Sequence, residues 1–294
     1  MDCIKRHLEL LEFNSTPRIS VGDKVFYRYG RIVLPLGPAK FDYTISASDA
    51  RAALKSVGGL LVQWNSGFQQ EPSEWYAVIC DRFRALAEIP SKHRSEINRG
   101  LRNCEVRRID CEYFARHAYE VYMKAATRYR GPVAPLRSEE SFKKGAIDSG
   151  KFEDILHHWG VFCAGKLVAY AANSVYPKIQ AGYTVVKMDP EYGKAYPVYA
   201  LIHEMTRHYL EEQHYEYVFD GFRSTLHDTH FQDFLMKKFG FRKAYSRLHL
   251  VYRRGLSAFV KATYPCRAVL GALDPRVRQL YLLEGIRRGV APGV

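Results

Sequence analysis

The sequence has 294 residues, 47% of them hydrophobic, enough for one large domain or two of ordinary size, each with its own core. Lys and Arg outnumber Asp and Glu 44 to 31, and the formal net charge of +13 attracts nucleic acid, anionic lipid headgroups or phosphorylated substrates, unless it only solvates the surface. No stretch approaches the length of a bilayer span, the N-terminus lacks a secretory layout, and six scattered cysteines without a Cys-x-x-Cys pair argue for reduced thiols in the cytoplasm and against zinc.

Residues 1–20 read as a helix followed by a loop. From Lys24 to Leu36 apolar and polar residues alternate, which predicts a hairpin turning at Gly30. Ser46–Val57 reads as a helix with Asp49 near its start, ended by Gly58-Gly59. Leu60–Trp64 and Trp75–Cys80 read as buried strands, and a polar, basic helix runs from about Ser91 to Asn103. Cys111–Arg130 carries Phe114, Tyr119, Tyr122 and Ala125 at helical spacing. Gly131-Pro132-Val-Ala-Pro135 is the clearest break in the chain, and the junction between two halves is placed there. A short amphipathic helix, Ser138–Ile147, opens the second half.

That half has one consistent logic. Strands are expected at Trp159–Cys163, Leu167–Tyr176 and Gln180–Met188, the first pair joined by a tight turn at Ala164-Gly165-Lys166. Asp189-Pro190 breaks the pattern. A helix follows from about Tyr196 to Glu212, with Pro197 in its first turn and Ile202, Met205 and Tyr209 on one face. The next strand, Tyr215–Phe219, ends in Asp220-Gly221. Thr229-His230-Phe231-Gln232 reads as a capping box for a helix to Lys238, stopped by Gly240, and one last strand is expected over Phe241–Tyr252. Residues 256–294 form a tail. In it Asp274-Pro275 starts a helix with an apolar stripe of Val277, Leu280 and Tyr281, while Arg276, Arg278, Arg287 and Arg288 face elsewhere. This helix either packs on the body or serves a partner or a membrane surface.

The order β-β-β-α-β-α-β, closed by Phe234-Leu-Met-Lys-Lys-Phe-Gly-Phe-Arg242, resembles the second half of a GNAT-type acyltransferase, where a Phe/Tyr-x-x-x-Gly-Phe ending leads into the last strand. The resemblance implies an amine acceptor and an activated acyl donor. Ser91-Lys-His-Arg94-Ser-Glu-Ile-Asn-Arg99-Gly-Leu-Arg102-Asn-Cys-Glu-Val106, after the strand Trp75-Tyr-Ala-Val-Ile-Cys-Asp81, is similar to a feature of the Fem-type transferases. That family joins two GNAT-like halves and transfers amino acids from aminoacyl-tRNA to amines of cell-wall precursors, and related members use other donors and acceptors. The likeness spans roughly residues 60–255. It implies an α+β or α/β fold of two tandem GNAT-like halves, each a mixed, largely antiparallel sheet flanked by helices, with a helical C-terminal tail. The segments expected are 1–130, 131–255 and 256–294.

Two features depart from these families. GNAT proteins hold the CoA pyrophosphate on a glycine-rich loop before the long helix. Here that place reads Glu191-Tyr-Gly193-Lys194-Ala-Tyr196-Pro197, with one glycine and a bulky tyrosine, a departure that Fem-type second halves share. The long charged helical hairpin that several Fem-type enzymes insert is also missing. The resemblance implies no permanently bound cofactor, with acyl-CoA or aminoacyl-tRNA as co-substrate. The acceptor is an amine, with a phosphorylated or nucleotide-linked carrier and a peripheral membrane contact among the options.

Aminolysis of an ester or thioester needs a neutral amine, a route for its proton and stabilisation of the oxyanion. Tyr183, on the third strand of the second half, and Asp220, at the expected end of the next, are the candidate catalytic residues. Asp220 either orients or deprotonates an amine, or caps the loop Phe222–Asp228. Arg223 and His227, in that loop, are candidates for an anionic group. Lys194 and Tyr196 lie in the donor loop. His203 and Arg207 share a face one helical turn apart, near the donor or in simple packing. His203-Glu204-x-x-x-His208 misses the zinc-protease spacing by one residue, and His157-His158 has no third ligand in register. Lys92, Arg94, Arg99 and Arg102 form a basic cluster that either binds phosphate or solvates a helix face. A catalytically silent basic module on the same fold, binding nucleic acid or an anionic partner, is the competing reading.

Overall fold

The computed structural model describes residues 2–127, 135–225 and 230–290. The chain begins with α1 (Asp2–Phe13) and the strands β1 (Arg18–Val21), β2 (Lys24–Tyr29) and β3 (Ile32–Pro35). Gly22 and Gly30 turn these strands, both at positive φ where a side chain would be strained. Helix α2 (Ala47–Val57) starts on a capping box: Asp49 N–H donates to Ser46 Oγ at 3.1 Å, and Ser46 N–H donates back to Asp49 Oδ2. Then come β4 (Leu61–Ser66), β5 (Tyr76–Cys80), α3 (Ser91–Asn103), β6 (Glu105–Ile109), α4 (Cys111–Ala126) and α5 (Glu139–Ser149), the last two N-capped by Asp110 and Ser138. Strands β7 (Leu156–Cys163), β8 (Lys166–Tyr176) and β9 (Gln180–Met188) lead into α6 (Pro197–Arg207), which continues as a π-helical turn over His208–Glu212. The chain closes with β10 (Tyr217–Phe222), α7 (His230–Phe239), β11 (Arg242–Tyr245), β12 (Arg247–Tyr252), α8 (Arg254–Thr263), α9 (Arg267–Leu273) and α10 (Pro275–Arg287).

The contact pattern groups these elements into two units, each drawn from separate stretches of chain. The first comprises Met1–Val78, Phe222–His230 and Lys243–Val294. Its sheet has the order β1-β2-β3-β4-β12, antiparallel except for the β3–β4 pair. The two-residue period of β4 decides which face each side chain joins. Val62 and Trp64 pack with Phe26, Val33, Ala50, Ala53, Leu54 and Val57 in one core cluster, while Leu61 joins Trp75, Leu248, Leu250, Leu283 and Ile286 in another. Helix α10 is therefore part of the core. Each Leu or Ile it buries stabilises the unit by about 1.5–3 kcal/mol.

The second unit comprises Ile79–Gly221 and Phe231–Arg242. Four strands of the seven-stranded sheet lie wholly within it, in the order β9-β8-β7-β6, with β10 next to β9. Strands β6 to β9 pair antiparallel, and β10 adds to β9 in parallel. One core cluster gathers Ile109, Phe114, Ala118, Val121, Phe142, Phe162, Leu167 and Tyr170, with α4 and α5 as its helical layer. Helix α6 buries Leu201, Ile202, Met205 and Tyr209, and α3 packs against it through Gly100, where a Cβ would stand 2.6 Å from the Tyr196 carbonyl oxygen.

Several elements differ from the sequence reading. The last strand is two strands in two sheets, because the chain breaks at Ser246: its N–H donates to the Trp75 carbonyl at 3.0 Å, and its carbonyl accepts from Ser73 Oγ at 2.9 Å. Strand β10 does not stop at Asp220-Gly221 but runs to Phe222, Gly221 absorbing the bend at φ +101°. Strands β1 and β6 were not anticipated. Strand β6 reads Glu-Val-Arg-Arg-Ile and lies at the sheet edge, where charged residues face solvent and blur the alternation. The tail holds three helices rather than one. The junction placed near Gly131 falls in 128–134, outside the described residues.

Candidate active site

The parallel pair β9–β10 matches Tyr217 with Gln180, Val218 with Ala181 and Phe219 with Gly182, and its register ends there. On its other side β9 is bulged. Asn173 faces Tyr183 while Ala172 faces Val185, so Thr184 is an extra residue. Gly182 sits where backbone approaches closely, since a Cβ would lie 3.0 Å from the Ser174 carbonyl oxygen. The two strands thus part immediately after Gly182 and Phe219. The next residue on each is one of the two candidates, Tyr183 and Asp220.

Asp220 is half-buried, and its side chain is hydrogen-bonded to Gln232 of α7. Burial pushes its carboxyl up from the ordinary value to about 7, and the Gln232 hydrogen bond offsets only part of that. A carboxylate in this condition takes a proton near neutral pH, as a general base must. Tyr183 is different. Its hydroxyl lies 3.0 Å from Thr206 Oγ1, and Thr206 donates its own proton to the Ile202 carbonyl at 2.6 Å, so Tyr183 is the donor to Thr206. Burial raises its phenol well above the ordinary value, and the Thr206 hydrogen bond offsets only part of that. With its proton committed, Tyr183 fixes the strand against α6 rather than offering an acid.

Behind it lies a buried polar network that the sequence reading missed. The Tyr209 hydroxyl accepts from Trp159 Nε1 at 3.1 Å and from Asn173 Nδ2 at 3.2 Å, and it lies 3.0 Å from His157 Nδ1. Burial, helped by Arg108, holds His157 down to about 3, so the ring is neutral and its Nδ1 accepts the Tyr209 proton. Asn173 Oδ1 has no partner among the described residues. The signal for Asn173 was present, as a lone amide in the apolar run Leu167–Tyr176.

The loop before α6 is ordered by charge. Lys124 Nζ bonds Asp189 at 2.8 Å and Glu191 at 3.1 Å, and Asp189 caps the turn Pro190–Ala195 by accepting from Glu191 N–H. Tyr196 then adopts a left-handed conformation, φ +59° and ψ +42°, just before Pro197 opens α6. For a non-glycine residue that costs about 1–2 kcal/mol, and it aims the chain into the helix. The Arg99 guanidinium of α3 lies over the Tyr196 ring, 5.3 Å from its centre. Lys194 is exposed in the preceding turn.

The structure brings Asp220 to Tyr183 and Arg99 to Tyr196, with Lys194 beside them in sequence. Lys92 and Arg102 occupy opposite ends of α3, and Arg94 falls on the other side of the helix from Lys92 and Arg99, so the four do not line one pocket. Arg102 lines a separate recess of about 340 Å³ with Cys104, Phe162 and Gly165. His203 is buried, its Nδ1 3.0 Å from Glu204, and Arg207 is paired with Glu204 and Glu212, so both are held within α6 and its π turn. Arg223 belongs to the first unit, where it pairs with Glu74. His227, and Thr229 of the expected capping box, lie outside the described residues. Gln232, which the sequence assigned to that cap, is hydrogen-bonded to Asp220. Among the described residues no cluster of three or more His, Cys, Asp or Glu can hold a metal ion.

No family model matches the sequence, and no curated protein matches it. Solved structures do. FemX aligns over 87% of this chain and 93% of its own, with 11% identity and a TM-score of 0.57. A C-terminal domain from Agrobacterium fabrum, described as part of a lysylphosphatidylglycerol synthetase, aligns over 89% of this chain and 94% of its own, with 14% identity and a TM-score of 0.56. At such identities the likeness is one of architecture, and it extends over nearly the whole chain. The protein has the GNAT-like, two-half fold of the Fem type.

Proposed function

We propose that this chain is an N-acyltransferase that moves an acyl or aminoacyl group from an activated donor to an amine, with Asp220 as the general base. The observation that carries this reading is Asp220 itself, a half-buried carboxyl whose proton affinity burial has moved to about 7, placed where two parallel strands separate. The amine nitrogen attacks the donor carbonyl carbon and a C–N bond forms. The bond from that carbon to the donor's sulfur or oxygen breaks, the amine proton passes to Asp220, and the leaving thiolate or alkoxide is reprotonated. Donor phosphate is assigned to the start of α6, next to Lys194, Tyr196 and Arg99.

Aminoacyl-tRNA suits this loop better than acyl-CoA. The loop offers one glycine, fewer than the glycine-rich loops whose backbone N–H groups hold a pyrophosphate, and it ends in the bulky Tyr196. One of the similar structures, the lysylphosphatidylglycerol synthetase domain, carries an aminoacyl product in its name. The described thiols fit a reducing cytoplasm, where charged tRNA is found. Among the described residues no helix is long and apolar enough to cross a membrane. The sequence segments 1–130 and 131–255 are proposed as the two GNAT-like halves, the second carrying the chemistry.

The test is single-turnover transfer from labelled aminoacyl-tRNA, and from acyl-CoA, to a panel of amines. Asp220→Asn is expected to slow transfer about 10²–10⁴-fold without changing the fold. Undiminished transfer by that variant would sink the reading. Absence of transfer from either donor, with polyanion binding that depends on Lys92, Arg94, Arg99 and Arg102, would establish the silent basic module instead.

A further inference from the structure

Helix α10 is committed to the core of the first unit, with Tyr281, Leu283 and Ile286 buried. The two helices before it are covered on one side only. Helices α8 and α9 form a single helical run through a 3-10 turn at Tyr264–Cys266. Its inner side is held in place. Val260, Tyr264 and Gly271 are buried, Tyr281 Oη donates to Thr263 Oγ1 at 2.7 Å, and a Cβ on Gly271 would lie 3.3 Å from Arg278 Cα. The outer side carries Phe259, Ala262, Cys266, Val269 and Leu273, spaced by three, four, three and four residues, which keeps five apolar side chains on one face. All five are exposed, Phe259 by 47%, Val269 by 68% and Leu273 by 77%. Single exposed apolar residues are ordinary, whereas a continuous stripe marks a surface that something covers. A helix apolar on both faces belongs where both faces are buried.

The charge of this run is one-sided. No Asp or Glu stands between Asp233 and Asp274, and the run carries Arg254, Lys261 and Arg267, with Arg253 just before it, all exposed. Arg254 and Lys261 are two turns apart and flank the stripe on one side. Arg267 flanks it on the other, its guanidinium 4.8 Å from the centre of the Tyr264 ring. The positions directly beside the stripe are Ala258, Thr263, Pro265 and Leu270, where a helix that pairs with another helix carries its charges. Their neutrality, and a proline within the run, argue against a coiled partner. Long cationic side chains set back from an apolar stripe, with no acid among them, match a surface whose apolar interior is overlaid by negative charge.

We propose that α8 and α9 lay this stripe on the surface of an anionic lipid bilayer. Phe259, Val269 and Leu273 enter the boundary between headgroups and acyl chains, and Arg254, Lys261 and Arg267 reach back to the headgroups. The apolar side chains supply affinity, and the cations supply preference for negatively charged lipid. Binding is peripheral and reversible and involves no chemical step. A second copy of the chain is a poorer occupant, because each stripe would bring the same uncompensated cations to the other. The surface belongs to the first unit and Asp220 to the second, so the proposal stands or falls independently of the transferase reading.

The experiment is flotation of the full chain with vesicles of phosphatidylcholine, with and without phosphatidylserine as a minor component. Binding to the anionic vesicles is expected, weakened by added salt and retained by Asp220→Asn. The net charge of +13 by itself draws the protein to such vesicles, so the deciding comparison is with uncharged substitutions of uncharged residues. Phe259→Ser combined with Leu273→Ser is expected to weaken binding about tenfold or more, and Arg254→Gln combined with Lys261→Gln about fivefold or more. All four positions are exposed, so both variants are expected to melt as the parent does. Cys266 gives a readout on the unaltered chain: its alkylation should slow when anionic vesicles are present. No flotation with anionic vesicles overturns the proposal, as does flotation that the serine pair leaves unchanged or undiminished labelling of Cys266 in the bound protein. Self-association that the serine pair abolishes, without vesicle binding, overturns it in favour of a second copy.

Discussion

The side chain of Gln232 is hydrogen-bonded to the carboxyl of Asp220, and this bond opposes the burial that keeps that carboxyl partly protonated at neutral pH. The folded state therefore holds this proton more tightly than the unfolded chain, whose aspartate titrates near 3.8. Between about pH 4 and 7 the native state binds more protons, so stability falls as pH rises, and the penalty is complete above about 7. Its size is on the order of 2 kcal/mol after allowance for partial solvent screening. Asp220→Asn is expected to be more stable than the parent at pH 8 and similar to it at pH 4, as read by urea unfolding across that range. Transfer should show the opposite sense, rising with pH through about 7 as the base deprotonates.

Gly100 lies inside a helix, where alanine is ordinarily favoured by about 1 kcal/mol. Here the sign reverses. The new Cβ would meet the Tyr196 carbonyl at 2.6 Å and Ala200 N at 3.1 Å, both backbone atoms that cannot step aside. Gly100→Ala should destabilise by about 1–3 kcal/mol in denaturant unfolding and weaken donor binding by tilting α3, with Arg99, away from Tyr196. A stabilised variant would show that the two helices are not in this contact.

Tyr209→Phe keeps the ring and removes only the hydroxyl. Trp159 Nε1 then loses its partner, and Asn173, whose Oδ1 is already unsatisfied, loses one of the two contacts of its amide nitrogen. A loss of about 1–3 kcal/mol is expected in thermal or urea melts, without loss of secondary structure by circular dichroism.

The cysteines should separate by reactivity. Burial pushes the Cys80 thiol up to about 11 and, with the Cys163 sulfur 2.7 Å away, the Cys104 thiol up to about 12. Cys266 is exposed. Alkylation at pH 8 followed by peptide mass spectrometry should label Cys266 within minutes and leave Cys80 and Cys104 unmodified until denaturant is added. Early labelling of Cys104 would show that its pocket opens.

Most elements were legible because each depends on near neighbours in sequence. Ser46 and Asp49 cap a helix from three residues apart, Gly30 and Gly165 turn hairpins through their own dihedral freedom, and the helical period of Pro197–Arg207 declares which side is buried. That Tyr183 and Asp220 lie on adjacent strands was legible, since parallel pairing across a helix follows from the order of elements. Strand β6 was not, because an edge strand satisfies its charged side chains in solvent and so leaves no period to read.

Other features depend on groups far apart in sequence. Residues Phe241–Tyr252 look like one strand, and nothing local distinguishes Ser246; the break comes from Ser73 and Trp75, over 170 residues earlier, claiming its backbone. That Asp220 holds its proton to about 7 follows from burial, which local sequence does not encode, and its Gln232 partner comes from another helix. The pairing of Arg99 with Tyr196 and the gathering of Lys243, Arg247, Arg287 and Arg288 around one cavity belong to the same class. Periodicity and capping are short-range and are written in the order of residues, whereas desolvation, proton affinity and charge convergence are set by what packs nearby, and that exists only once the chain has folded.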